Sequence, residues 1–349
     1  PESRAIRLNA ARPTLKRHSR NLVVNTKYTL LSFVPKVLYE QFRYFFNLYF
    51  LLVALSQFFP PLQIGLLVTY IAPLAFVLTV TMTKEAYDDV KRFRTDREIN
   101  QEMYTRLLPG GARETVRAQD ICVGHVIQLR TNQRVPADML LLRTSESSGV
   151  VFLRTDQLDG ETDWKARLAV SCCQKLPTDV MLAQATATVF VSKPSADIYD
   201  FEGDFTLFDE SAEGGAVVEP LGLDNTLWTN TVLASGSAFG LVLYTGRDTR
   251  SAMNTAPPPS KIARVDLQVN LLAKLLFALT AFTALSMVAF PFVRRAAAYG
   301  VATEDLSQQL LQALLDFLRF MLLFSSIIPI SLRMALDMAK LVYKMQMTA

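Results

Sequence analysis

Residues 155–165 read TDQLDGETDWK, which sets Asp156, Asp159, Glu161 and Asp163 around a single glycine, Gly160. Like charges at this density repel, so solvent, a cation or a chemical task must offset them. A calcium loop of the EF-hand kind is excluded. With Gly160 at its sixth position, positions one, three, five and twelve would be Thr155, Gln157, Asp159 and Ala166, only one of them acidic. A glycosidase pair of Asp159 and Glu161 needs a sugar cleft with carboxyls about 5–9 Å apart, and nothing else in the chain points to one. A solvated turn with Gly160 at positive φ is the plain structural alternative. The remaining chemistry is a mobile loop that carries one carboxylate to a reaction elsewhere. In that reading Gly160 lets the backbone approach a partner surface, and Glu161 orients and deprotonates a water. The Thr162 hydroxyl holds that water or the carboxylate.

Something must position this loop, and the hydropathy says what. Half of the 349 residues are hydrophobic, and mean hydropathy is +0.22, high for a water-soluble protein. Four apolar stretches stand out. The first, 42–59, is interrupted by Arg43, Asn47 and Gln57. The second, 62–82, is 21 residues without a charge, enough to cross a bilayer as a helix. The third, 275–293, is 19 residues without a charge. The fourth, about 311–332, contains Asp316, Arg319 and Pro329. Only Pro60 and Pro61 separate the first two, so they read as a tight hairpin. Two hairpins leave both termini and the long middle segment on one side. The nine Lys and Arg among residues 1–43 mark that side as the cytosol, although Arg294 and Arg295 in the loop 294–310 mildly oppose it. The same basic flank suits an anionic lipid surface.

After the second stretch, KEAYDDVKRFRTDREINQ (84–101) alternates charge signs without proline or glycine and predicts a solvated continuation of the same helix. The period then changes. HVIQLR (125–130), ADMLLLR (137–143), GVVFLR (149–154) and LVLYTG (241–246) are short β-rich runs bounded by turn residues. FEGDFTLFDESAEGGAVVEP (201–220) reads as a surface excursion, and TAPPPSK (255–261) as a stiff linker back to the membrane. The implied division is a basic cytosolic segment (1–41), spans one and two (42–83), a stalk with a β-rich domain (84–265), spans three and four (266–333) and a cytosolic stalk (334–349). Cys122, Cys172 and Cys173 lack metal-ligand spacing, and with only His18 and His125 neither a histidine-rich metal site nor a Ser-His-Asp triad is expected. No site residue is assigned to a metal, and no nucleic-acid partner is implied.

TDQLDGETDWKARL resembles the actuator-domain signature of the P-type ATPases, in the Asp-Gly-Glu-Thr form of the type IV branch, the phospholipid flippases. Residues 25–52, 73–100, 132–149, 225–254 and 325–333 resemble that family in the same order, the last as SSIIPISLR. The DQLDGETDWK and PISLR variants look most like the subfamily that works without an accessory subunit. The resemblance implies a multi-pass α-helical membrane protein with an inserted, mostly β cytosolic actuator domain, an incomplete P-type ATPase architecture. It implies that Glu161, with Asp159, Gly160 and Thr162 around it, positions the water that hydrolyses an aspartyl phosphate. It also implies ATP-driven movement of phospholipid, in particular aminophospholipid, from the exoplasmic to the cytoplasmic leaflet of Golgi or endosomal membranes.

The resemblance gives the fourth stretch a role. Pro329 frees backbone carbonyls at membrane depth, and Pro329-Ile330-Ser331-Leu332 carries no carboxylate to neutralise a dehydrated cation. Ile330 and Ser331 suit a headgroup passing a hydrophobic gate. Asn47, Ser56 and Gln57 resemble headgroup-selecting positions, with ordinary interhelical hydrogen bonding as the alternative. An Asp-Lys-Thr-Gly phosphorylation motif and a P-loop do not occur in the sequence. The expectation is therefore the amino-terminal portion of a pump, with ATP and Mg²⁺ bound by domains absent from this chain. A P-type cation pump is the alternative within the superfamily. A non-catalytic membrane scaffold is the alternative outside it, should the chain truly end here.

Overall fold

The structure, a computed structural model, describes residues 4–8, 18–208, 215–255, 264–299, 306–327 and short helical pieces between 335 and 346. The chain divides into two compact units. One comprises Pro1–Asn25 and Arg92–Pro259, the other Thr26–Lys91 and Ser260–Ala349.

The first unit is built from three antiparallel sheets. Six strands, in the order Thr226–Leu227, Asp138–Thr144, Ser237–Tyr244, Val126–Arg130, Met103–Leu107 and Arg113–Arg117, form the central one. On one face it packs Leu140, Leu142 and Leu241 against Val189, Val191 and Phe205 of a four-stranded sheet. On the other it packs Met139, Leu141 and Val242 against Val151, Leu153 and Leu233 of a three-stranded sheet. Alternate side chains of one strand point to opposite faces. Asp138-Met-Leu-Leu-Leu142 is therefore an unbroken apolar run after its first residue because both of its faces are covered.

The four-stranded sheet has the order Arg4–Arg7, Thr186–Val191, Gly203–Phe208 and Ala216–Leu221. The 201–220 stretch is thus not a surface excursion: it supplies two strands, and its Phe201 and Phe205 are buried in the core. Arg4–Arg7 is an edge strand, and residues 19–25 are bonded through side chains that mimic a ladder. Asn21 donates to the carbonyls of Ala118 (2.8 Å) and Pro136 (3.0 Å) and accepts from the Gly246 N–H (3.1 Å). Asn100 exchanges two hydrogen bonds with the Val23 backbone, and Asp96 receives the Asn25 N–H and side-chain amide. Gly246 sits at φ +56°, and a Cβ there would run into the Arg20 carbonyl, so only glycine lets this segment lie down.

One buried ion pair ties strand, loop and helix together. Asp138 and Arg250 are both 0% exposed. The Asp138 carboxylate accepts from Thr229 N–H (2.9 Å), Thr229 Oγ1 (2.8 Å) and Arg250 N–H (2.8 Å). The Arg250 guanidinium lies 3.9 Å over the Trp228 ring and donates to the carbonyls of Asp197 and Asp200. Burial pushes the Asp138 carboxyl up, while these donors and Arg250 pull against it.

The second unit is helical: Phe33–Phe42, Phe45–Ser56, the first part of Leu67–Gln101, Arg264–Tyr299 and Leu306–Leu323. The first apolar stretch is not one helix, because Tyr44 is extended (ψ 127°) between the first two. Phe45–Ser56 has 12 residues, so it is about 18 Å long, short of the ~30 Å hydrocarbon core. Its Phe46, Tyr49, Phe50 and Val53 pack with Leu74, Ala273 and Leu322, and the Phe277 ring meets Phe45 and Tyr49 edge-on. The Pro60-Pro61 turn is closed by Gln57, whose Oε1 accepts the Ile64 N–H at 3.2 Å, and the long helix starts at Leu67 rather than Leu62. Among the described residues two helices, Leu67–Gln101 and Arg264–Pro291, are long and apolar enough to cross a membrane. Only 11% and 17% of their most apolar windows are buried within the chain. They are not core helices of a water-soluble fold, since Phe76, Leu279, Phe282 and Phe290 stand exposed.

Two predictions concern the β unit. Arg250→Met leaves Asp138 buried without its cation and is expected to cost about 3–5 kcal/mol, and Arg250→Lys cannot restore the flat two-carbonyl fork. Urea unfolding followed by the emission of Trp228, which the guanidinium covers, measures it; an unchanged midpoint would refute the anchor. His125 is 5% exposed, and burial followed by the nearby Arg106 charge brings its pKa down to about 4. A base whose folded pKa lies below its unfolded value is neutral in the fold and charged in the unfolded chain between the two. Stability is therefore complete above about pH 6.5 and falls by roughly 3 kcal/mol as the pH drops toward 4. His125→Gln should flatten that slope in unfolding curves taken across this range.

Candidate functional site

The acidic loop is the tip of a hairpin. Val150–Arg154 and Trp164–Leu168 pair antiparallel, with Arg154 opposite Trp164, and residues 155–163 join them. The hairpin is rooted on one face by Val151 and Leu153 in the core and by Arg167, whose Nε donates to the Thr226 carbonyl at 3.1 Å. On the other face Phe152 and Trp164 are exposed and lie 6.4 Å apart. Val150, Val151, Phe152 and Trp164 give the stem its β-branched and aromatic residues, and the polar, glycine-containing tip cannot continue it.

The tip has internal order. The Thr155 carbonyl accepts the N–H groups of Leu158 (2.8 Å) and Asp159 (3.1 Å), which turns the chain back on itself. Asp159 then closes a second turn by accepting the Glu161 N–H on Oδ1 at 3.0 Å, the Asx-turn geometry. Gly160 lies inside that turn at φ +79°, and a Cβ placed on it would meet nothing within 4 Å. The fold needs glycine there for its backbone angle, not for room, and the space beside it is left open. Asp159, Gly160, Glu161 and Thr162 are thus brought together. Gly160, Glu161 and Thr162 face solvent, and the Glu161 side chain is 55% exposed.

Lys165 is the residue that reading the sequence passed over, although it is the one lysine in the stretch. Its Nζ lies 2.7 Å from Asp159 Oδ2 and 2.8 Å from Glu161 Oε2, and 5.8 Å from the centre of the Tyr199 ring. Hydrogen bonds to Asp159 and Glu161 raise the Lys165 pKa. Burial pushes Asp159 up, but the bonds from Lys165 and the Glu161 N–H outweigh it and hold the carboxyl below its ordinary range. One cation therefore offsets two of the four carboxylates. The signal that could have found it is the Glu-x-x-x-Lys spacing inside the motif itself.

Of the other expected residues the described part of the helical unit holds Asn47, Ser56 and Gln57, which lie at two ends of one helix. Asn47 is buried and donates to the Gln41 carbonyl (3.0 Å) and side chain (3.3 Å). At the far end of that helix Ser56 Oγ donates to the Val53 carbonyl, and Gln57 Nε2 to Ser56 Oγ at 3.1 Å. Nine residues of helix place the two ends about 13 Å apart. Arg319 pairs with Asp316 (3.4 Å) and donates to the Pro61 carbonyl, which accounts for both ionisable groups of the fourth stretch. Pro329, Ile330, Ser331 and Leu332 lie outside the described residues.

Comparison with known proteins places this geometry in a family. A family model described as "Phospholipid-translocating ATPase N-terminal" matches residues 6–71. The human "Probable phospholipid-transporting ATPase IIB" is 47% identical over 342 residues, 98% of this chain and 28% of its own length. "Probable phospholipid-transporting ATPase tat-5" of Caenorhabditis elegans is 48% identical over 327 residues, 93% of this chain and 29% of its own. "Phospholipid-transporting ATPase NEO1" of Saccharomyces cerevisiae is 45% identical over 331 residues, 95% of this chain and 26% of its own. The chain spans a little over a quarter of the length of these curated relatives. Over the portion it spans, the chain belongs to the type IV P-type ATPases, and that portion is their amino-terminal one.

Proposed function

We propose that this chain is the actuator and first membrane portion of an ATP-driven phospholipid transporter. The observation that carries the reading is the exposed Glu161 at the tip of a rigidly rooted hairpin, beside a glycine with open space around it. This carboxylate bonds Lys165 with one oxygen yet stays 55% exposed, where another domain can present a phosphorylated side chain.

In this reading the β unit is the actuator. Its hairpin docks against an aspartyl phosphate carried by a further domain of the full-length protein. Glu161 orients a water and takes its proton as the water oxygen bonds to phosphorus and the bond from phosphorus to the aspartyl carboxylate breaks. Asp159 holds the loop backbone, Gly160 provides the turn, and Thr162 lies beside Glu161 to bond the water. ATP and Mg²⁺ belong to domains outside this chain. Among the described residues no three His, Cys, Asp or Glu side chains gather as a metal site.

The helical unit supplies four spans in this reading, with both termini in the cytosol. Leu67–Gln101 and Arg264–Pro291 are supported by length, apolarity and exposure; Leu306–Leu323 and Phe45–Ser56 pack against them, the latter as a 12-residue helix that reaches only part of the way across the hydrocarbon core. Lipid, an aminophospholipid by resemblance, moves from the exoplasmic to the cytoplasmic leaflet past Asn47, Ser56, Gln57 and the Pro329–Leu332 stretch. The protein resides in Golgi or endosomal membranes and needs no obligate accessory subunit.

The test is phosphoenzyme turnover in the full-length protein. Glu161→Gln is expected to form the phosphoenzyme normally and to slow its decay by about 100-fold or more. Decay at the native rate would remove Glu161 from the reaction.

A further inference from the structure

The charge problem posed by the acidic loop has a local answer that also bears on reactivity. Asp159 and Glu161 are two residues apart and both face the Lys165 ammonium, at 2.7 and 2.8 Å. This is not an ordinary surface pair, which contributes little because both ends are free to wander. The Asp159 side chain is only 6% exposed and that of Lys165 only 23%, and Tyr199 flanks the ammonium on another side. Asp159 also holds the Glu161 N–H, so one carboxylate fixes the backbone of Glu161 while the lysine it anchors fixes the side chain.

We infer that Lys165 is the positioning residue for Glu161, held by Asp159 and setting the direction and the local charge with which the Glu161 carboxylate meets a phosphoryl group. This rests on the role proposed above for Glu161 and adds to it a residue and a reason. A carboxylate approaching a phosphoryl group meets like charge, and an ammonium bonded behind it offsets one unit of that charge without competing for the water. Preorganised charge of this kind acts through a neighbour's geometry and is lost when the supporting side chain is neutral or too short. Gly160, with nothing packed over it, leaves the backbone next to Glu161 open for the approach. Lys165 contacts the Glu161 carboxylate and acts through it, not on the water or the phosphoryl group. Asp159 serves the lysine rather than the water.

The experiment uses the full-length protein, phosphorylated from ATP and then chased, with Lys165→Met, Lys165→Arg and Glu161→Gln beside the native protein. The expected result for Lys165→Met is normal phosphoenzyme formation with decay slowed about 10- to 100-fold. Lys165→Arg, which keeps the cation, is expected to recover most of the native rate, which a purely space-filling role would not explain. If Glu161→Gln stalls decay while Lys165→Met decays like the native protein, the positioning role is wrong and the proposed function survives. If Glu161→Gln itself decays normally, the underlying reading falls and the inference with it. Loss of phosphorylation in both lysine variants would make Lys165 a folding residue and would also overturn the inference.

Discussion

Asp138 and Arg250 carry the architecture of the β unit. A fully buried carboxylate and a fully buried guanidinium each cost several kcal/mol to desolvate. They persist because nearly every polar atom on them has a use: three donors on Asp138, and two backbone carbonyls with an aromatic face on Arg250. Asp138 opens the central strand, Thr229 lies in the turn after Thr226–Leu227, and Arg250 starts the short helix Arg250–Asn254. Three segments far apart in sequence are thus pinned at one point, and Asp197–Asp200, the approach to the four-stranded sheet, is pinned to it through Arg250. A hydrophobic patch could have buried as much area; it could not have specified which carbonyls meet there.

Rigidity built in this way has a consequence for the hairpin. Its stem is continuous with the core, through Val151, Leu153 and Arg167, so the tip inherits a defined direction. Within the tip the order is polar instead of apolar: an Asx turn, a left-handed glycine and a shared lysine. The arrangement keeps a carboxylate at the surface yet restrains it.

The helical unit obeys the opposite rule. Its long helices leave apolar side chains outward, and the polar residues Asn47 and Gln57 are turned in and bonded to their own hairpin. That inversion is what a hydrocarbon solvent demands, because there an unbonded polar group is expensive and an exposed leucine is not. It also explains why the 42–59 stretch misleads. Its aromatics are a packing face around Phe277, and its length is divided at Tyr44, where no proline or glycine announces the break.

Local patterns settled much of this protein in advance. The charge-free 62–82 and 275–293 stretches, the charged helix that follows the first, the short β-rich runs and the Asp-Gly-Glu-Thr loop each depend on near neighbours, and each was legible from them. Other features depend on residues far away in the chain. Arg4–Arg7 pairs across the sheet with Thr186–Val191, the 201–220 stretch becomes two core-facing strands, and Asn21 and Asn100 replace ladder bonds. Lys165 falls between these cases: it is written in the motif, but its meaning needs a hairpin that folds the chain back so that one ammonium reaches two carboxylates. Short-range periodicity is encoded residue by residue, whereas the partner of a buried charge or of a sheet edge is decided only when distant segments compete for it.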